Sequence, residues 1–319
     1  MIPSLNGTLV DFNACTPAIC SLAWAQLQYV PTVSGGVAYA ILFGLLLLAQ
    51  IGLGWKHRTW GFLVGMICGL LLEVIGYVAR IQLSNDVFSF NAFVASLVCL
   101  TIAPAFISAA IYSSLSRLAV VYGQEVARFG PRTYTLAFIS CDIMSLVLQA
   151  AGGAITATAV AGSSEKQTGV NTMIAGLASQ VASLSLFLLL ALDLIWQANH
   201  APRDSLDPHF VSLRNRALFF WFPPAIMLAT VAIFVRCCFR VAELKGGFGG
   251  GLANNQAMFM VFEGPMIMIA LIILTIFHPG TCFGGMRGWR QANWVWRGGA
   301  KRNSDALEVE KMHTKGSRA

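Results

Sequence analysis

Seven stretches of this chain run for about 20 residues or more with almost no charge, at 33–55, 60–79, 91–119, 132–157, 169–197, 215–238 and 256–278. A helix of about 20 apolar residues crosses the roughly 30 Å of bilayer hydrocarbon. In that solvent each backbone N–H and C=O must be satisfied within the structure, which leaves helices or closed barrels. Continuous apolar runs of this length predict helices. The chain therefore reads as an all-α polytopic membrane protein with seven transmembrane helices, the third and fifth long enough to tilt or project into water. Charged residues make up only 11% of the 319 positions, less than half of the roughly 25% typical of soluble chains.

Basic residues set the expected direction. With the N-terminus outside, 16 of the 21 Lys and Arg residues fall on the cytosolic side, including Lys56, Arg58, Arg117, Arg214, Arg216, Arg287 and Arg290. That bias places the N-terminus outside and the C-terminus in the cytosol. Trp55, Trp60, Trp196 and Trp221 then all stand at cytosolic helix ends, where an aromatic belt belongs. Residues 1–30 lack Lys and Arg, so no positive region of a signal peptide is present and sorting rests on the first span. The net charge of +7 flanks apolar runs and forms no stripe, which excludes a nucleic-acid partner.

Three segments follow: an external tail at 1–32, a seven-helix domain at 33–280 and a basic cytosolic tail at 281–319. The external tail carries a glycosylation sequon at Asn6, and Cys15 and Cys20 could pair as a disulfide in an oxidising lumen. The start of the cytosolic tail mixes Trp and Arg, which suits anionic inner-leaflet lipids as partners. A plain snorkelling stub is the alternative. Cys68, Cys99 and Cys141 sit in apolar runs and read as small core residues.

Polar residues inside the spans carry the functional signal. Glu73, Tyr77 and Arg80 share one helix face at i, i+4 and i+7. Glu73 lies about 20 Å from Trp60 along the helix and so about 10 Å below the outer boundary. Arg236, Arg240 and Glu243 repeat the spacing at the same level of helix six, and Glu263 reaches that level on helix seven. A charge at mid-helix costs about 2.5–3.5 kcal/mol on insertion scales, so these groups should face the bundle and find partners. Together they predict a polar pocket in the outer half, open or openable to the outside. Arg236 and Arg240 at the boundary could instead snorkel. Helix four carries Asp142, Ser145 and Gln149, followed by Gly152 and Gly153, which allow close helix approach. Helix three places Ser108, Tyr112 and Ser116 on one face. Its Pro104 frees the carbonyl of Leu100 and should kink the helix. The simpler reading of many of these side chains is glue between helices.

Several chemistries lack their motifs. No GxxxxGK[ST], GxSxG or HExxH stretch is present, no catalytic residue stands out, and nothing calls for a cofactor. His200, Asp204, Asp207 and His209 cluster in a loop and could bind metal, which keeps a zinc-dependent membrane lipid hydrolase as a minor alternative.

The polar pattern resembles the fungal RTA-like proteins, the lipid-translocating exporter family. The resemblance rests on Glu73-x-x-Gly76-Tyr77-x-x-Arg80, APAF at 103–106 with Tyr112, Asp142…Gln149..Gly152-Gly153, Gly176 with Gln180, Arg236..Phe239-Arg240-Val241.Glu243, and His278-Pro279-Gly280. Where the family usually shows Glu, Tyr and Asp at the start of helix seven, this chain has Gln256, Met260 and Glu263. The resemblance implies a translocator or exporter rather than an enzyme, resident in the plasma membrane or an endomembrane. It also implies ligands such as sphingoid long-chain bases, cationic amphiphiles whose export confers stress or drug resistance. Its substrate-binding candidates are Glu73, Tyr77, Arg80, Tyr112, Asp142, Gln149, Arg236, Arg240, Glu243 and Glu263. A seven-helix sensor or scaffold that regulates lipid balance is the alternative from a different class.

Overall fold

A computed structural model describes residues 2–3, 9–10, 19–21, 29–123, 130–158, 164–202, 208–246, 250 and 255–293. A two-residue antiparallel ladder pairs β1 (Ile2–Pro3) with β2 (Leu9–Val10). The other elements among the described residues are helices. The spans begin with α1 (Val33–His57), α2 (Trp60–Asn85), α3 (Phe90–Tyr122), α4 (Pro131–Thr158) and α5 (Ser164–His200). A 3-10 turn at Pro208–Phe210 and the short α6 (Val211–Arg214) lead into α7 (Ala217–Lys245). The last span is divided into α8 (Gln256–Phe262) and α9 (Gly264–Ile276), followed by α10 (Pro279–Cys282) and α11 (Met286–Gln291).

Seven of these segments are long and apolar enough to cross a membrane, as the sequence predicts. The third and fifth are the longest, at 33 and 37 residues. At 1.5 Å per residue α5 extends about 55 Å, well beyond the hydrocarbon layer. The exposed residues explain the apolar composition. Leu45, Leu48, Val64, Leu136, Leu189 and Phe220 all face outward, where lipid chains rather than water solvate them. Trp55, Trp60, Trp196 and Trp221 are exposed too, all at the end of the bundle where α1 finishes and α2 starts.

Packing runs α1 on α2, α2 on α3, α3 on α4, α4 on α5, α5 on α7 and α7 on α9, with α9 returning to α1. Small residues set the α4–α5 contact. A Cβ on Gly152 would stand 2.6 Å from both the Gly169 carbonyl oxygen and the Met173 amide, so glycine alone permits this approach. Gly153, which the sequence pairs with it, has no atom within 4 Å of such a Cβ and makes no helix contact. Only one of the two lies on the α5-facing side of α4.

The cysteines divide differently from the expectation. Cys141 is exposed, and Cys68 and Cys99 are half-buried, Cys99 lying against Gly76 at the α2–α3 contact. Among the free cysteines described, Cys237 and Cys282 are buried. Cys20 is disulfide-bonded, whereas Cys15 and Asn6 lie outside the described residues.

Candidate functional site

The face of α2 carrying Glu73, Tyr77 and Arg80 turns inward, and all three side chains are buried. Helical spacing stacks them, and each meets a different partner. Glu73 is 1% exposed, and its Oε1 has no hydrogen-bond partner. It lies within electrostatic reach of Arg236 on α7 and Glu263 at the α8–α9 break. Tyr77 packs its ring 5.0 Å from Tyr39 and 5.5 Å from Phe43, both on α1, and its hydroxyl is buried without a partner. Arg80 donates to the hydroxyl of Tyr29 and places its guanidinium 3.6 Å from the ring centroid of Phe259, a cation–π arrangement.

Two backbone irregularities supply the rest. Pro104 has no N–H, so the Leu100 carbonyl four residues earlier loses its helical donor. Arg236 fills that position with an Nη2 hydrogen bond of 2.5 Å to Leu100 O, while the same nitrogen contacts Glu263. α3 stays helical through Pro104. The second irregularity is the α8–α9 junction at Glu263-Gly264-Pro265, where Pro265 cannot continue the hydrogen-bond ladder of α8. A Cβ on Gly264 would lie 2.8 Å from the Tyr39 ring and from the Tyr77 hydroxyl. Glycine thus lets both tyrosines close on the break.

Ion pairs knit α7 to this junction. Arg236 pairs with Glu263 at 2.5 Å, Arg240 with Glu243 at 2.6 Å, and Arg240 Nε approaches Glu263 Oε2 at 3.9 Å. Arg240 also donates to the Thr101 hydroxyl at 3.2 Å. Both arginines are buried, so they do not snorkel. Three glutamates and three arginines balance in formal charge. Within that balance Glu73 has no hydrogen bond to a cation among the described residues, and Arg80 is held by aromatic rings and a phenol.

Above the cluster sits a cavity of about 40 Å³ whose walls include Tyr29, Arg80, Phe93, Ser96, Arg240, Glu243 and Phe259. It is large enough for a water molecule and far too small for an alkyl chain. Burial pushes the Tyr29 phenol up from its ordinary pKa against the pull of the Arg80 cation, so Tyr29 remains a neutral cover.

Tyr112, Asp142 and Gln149 do not join this cluster in any hydrogen bond or ion pair among the described residues. Tyr112 donates to Asp142 Oδ2 at 3.0 Å, with its ring 4.6 Å from Phe187. Gln149 donates to Gln180 at 3.4 Å, and Gly176 closes against Gln149 and the Ser145 carbonyl. This second group ties α3, α4 and α5 together, with Asp142 Oδ1 and Gln149 Oε1 left unpartnered.

Sequence reasoning missed Tyr29, Tyr39, Thr101 and Phe259 as neighbours of the charges, and it missed the break itself. Gly264-Pro265 was the readable signal, since that pair seldom continues a helix. The divergent positions have structural roles: Gln256 donates to the Thr32 hydroxyl at 2.6 Å, and the Met260 carbonyl accepts from Tyr39 at 2.9 Å. Of the possible metal cluster, His200 bonds to the Trp196 carbonyl at 2.9 Å, while Asp204 and Asp207 lie outside the described residues. No group of three metal-ligating side chains occurs among the described residues.

Seven apolar helices around a buried, charge-balanced cluster define a polytopic membrane protein. Residues 66–286 match the family model described as RTA1 like protein, more than two thirds of the chain, and the chain belongs to that family. It is 34% identical over 309 residues to the sphingoid long-chain base transporter RSB1 of Saccharomyces cerevisiae, with 88% of this chain and 81% of the relative covered. It is 27% identical to Protein RTM1 of S. cerevisiae over 251 residues, covering 75% of each chain. Protein RTA1 of the same organism is 27% identical over 276 residues, covering 78% of this chain and 84% of the relative. No solved structure matches the chain.

Proposed function

We propose that this protein translocates lipids across its membrane and that its ligands are sphingoid long-chain bases or similar cationic amphiphiles, whose export confers stress or drug resistance. The observation that carries the reading is Glu73. A buried carboxylate whose Oε1 lacks a donor, beside arginines already committed to Glu243 and Glu263, offers an acceptor to an incoming ammonium. The similarity to a named sphingoid long-chain base transporter supports that ligand class. Because the cavity is about 40 Å³, only the head group would enter, after Tyr29 leaves Arg80, and the alkyl chain would stay in the hydrocarbon phase. Nothing in the sequence supplies a phosphate-cradling loop of the GxxxxGK[ST] type, so movement would run downhill or with an ion gradient.

The charge bias and the exposed tryptophans support an N-terminus outside and a C-terminus in the cytosol, which puts the Glu73 cluster near the outer leaflet. The plasma membrane is the proposed residence. Named transporter relatives support a non-enzymatic role.

Purified protein in liposomes should speed the flip of a labelled sphingoid base, and Glu73→Gln should bring the rate down to that of empty vesicles. In cells the same variant, at unchanged surface expression, should lose resistance to a toxic long-chain amine. Persistent flip by Glu73→Gln would remove Glu73 from the site. The small closed cavity favours one other reading, a lipid sensor or scaffold. It predicts no flip in liposomes and a phenotype lost on deleting residues 294–319.

A further inference from the structure

At the end of the bundle opposite Glu73, a cavity of about 330 Å³ opens between the α1–α2 turn, α3 and α11. That volume is at the lower edge of small-ligand pockets, roughly 300–1,000 Å³. Arg58, Arg117 and Arg290 line it, and its lining includes no carboxylate among the described residues. None of the three is in an ion pair among the described residues. Three guanidinium groups around one cavity repel each other unless an anion joins them.

Other features point the same way. Gly61 lines the cavity from the first turn of α2, a 26-residue helix whose N-cap residue Thr59 makes no side-chain cap bond. The first-turn amides and the helix dipole therefore favour negative charge. Thr59 Oγ1 itself is buried without a partner. Arg58 adopts a left-handed backbone at φ 51°, ψ 44°, the only non-glycine residue with positive φ among those described. This is the C-cap of α1, its amide bonded to the Gly54 and Trp55 carbonyls, which fixes where the Arg58 side chain starts. Arg117 is fixed in advance, donating to the Trp289 carbonyl at 2.6 Å with its guanidinium 3.7 Å from the indole centroid. Its planar fork suits the paired oxygens of a phosphate. Exposed Trp60 at the rim gives the site an amphipathic neighbour of the kind found at head-group level.

We propose that this cavity binds a phosphate ester, separately from the amphiphile site. A cationic base would be repelled here, so the assignment stands whether or not the translocator reading does. The ester comes either from the head group of an anionic phospholipid or from a water-soluble phosphate, and both share the chemistry these residues recognise.

Native mass spectrometry of the full chain in detergent tests it, with phosphatidic acid and phosphatidylcholine as probes and glycerol 3-phosphate as soluble competitor. Wild type should retain phosphatidic acid about tenfold over phosphatidylcholine, as one or two charge-assisted contacts would give. Arg58→Asn combined with Arg290→Gln should bring that ratio close to one. Both residues are exposed, and asparagine tolerates the left-handed backbone, so the fold is preserved. Arg287→Gln, exposed on α11 but outside the lining, should leave the ratio unchanged. Displacement by glycerol 3-phosphate assigns the site to a soluble phosphate, and resistance to displacement assigns it to the lipid. Equal retention of both lipids by wild type overturns the proposal, as does a ratio that falls as far in Arg287→Gln as in the double variant.

Discussion

At the end of the bundle where α1 begins, Arg80, Arg236 and Arg240 meet Glu73, Glu243 and Glu263 among buried side chains. At the other end Arg58, Arg117 and Arg290 line an open cavity whose lining holds no carboxylate among the described residues. The residue type and the number of cations are the same, and only the surroundings differ. Removing an ion from water costs several kcal/mol, so a dry cluster must arrive already matched. At the rim water solvates the exposed Arg58 and Arg290 while Arg117 rests on the Trp289 carbonyl and indole, and charge can wait there for a ligand. Among the described residues the ion pairs are therefore confined to the buried end, where Arg80 alone is held by a phenol and an aromatic ring instead, and the unpaired cations of the other end mark where the molecule is still open to a partner.

The strongest test of that contrast is Arg236→Ala. It strands Glu263 and the Leu100 carbonyl in a dry interior and should cost about 3–5 kcal/mol, read as denaturant unfolding in detergent micelles. A loss below about 1 kcal/mol would mean that water reaches the cluster. Gly152→Val comes next, since overpacking of the α4–α5 contact should cost about 1–3 kcal/mol in the same assay. Gly153→Val, with open space around its Cβ, should leave the midpoint nearly unchanged. Glu73→Gln should be nearly neutral for stability, or stabilising, because it discharges a buried acid that has no hydrogen-bonded cation. That small effect beside a complete loss of flip would separate recognition from architecture. Arg58→Asn should shift stability least, within about 0.5 kcal/mol, because its side chain is exposed.

The spans were legible because hydrocarbon imposes length and apolarity on each one separately. The α2 and α7 stripes were legible because i, i+4, i+7 spacing fixes a shared face without knowledge of neighbours. Which stripes meet is a question of helix order around the bundle, and spacing within a helix does not carry that information. Asp142 and Gln149 were therefore grouped with Glu73, although their hydrogen bonds hold α3, α4 and α5 together. Cys141 was placed in the core for a related reason. In a membrane the lipid side of a helix is as apolar as its packed side, so hydropathy does not distinguish them. Tyr29 escaped notice because it lies before the first span, in sequence with no periodic signal.

The missing amide of Pro104 has a consequence for how this sequence can change. The rung absent from one helix has become a socket for Arg236, 136 residues away. Restoring the amide with Pro104→Ala would set two donors competing for one carbonyl, so the proline and the arginine should tolerate replacement together better than singly.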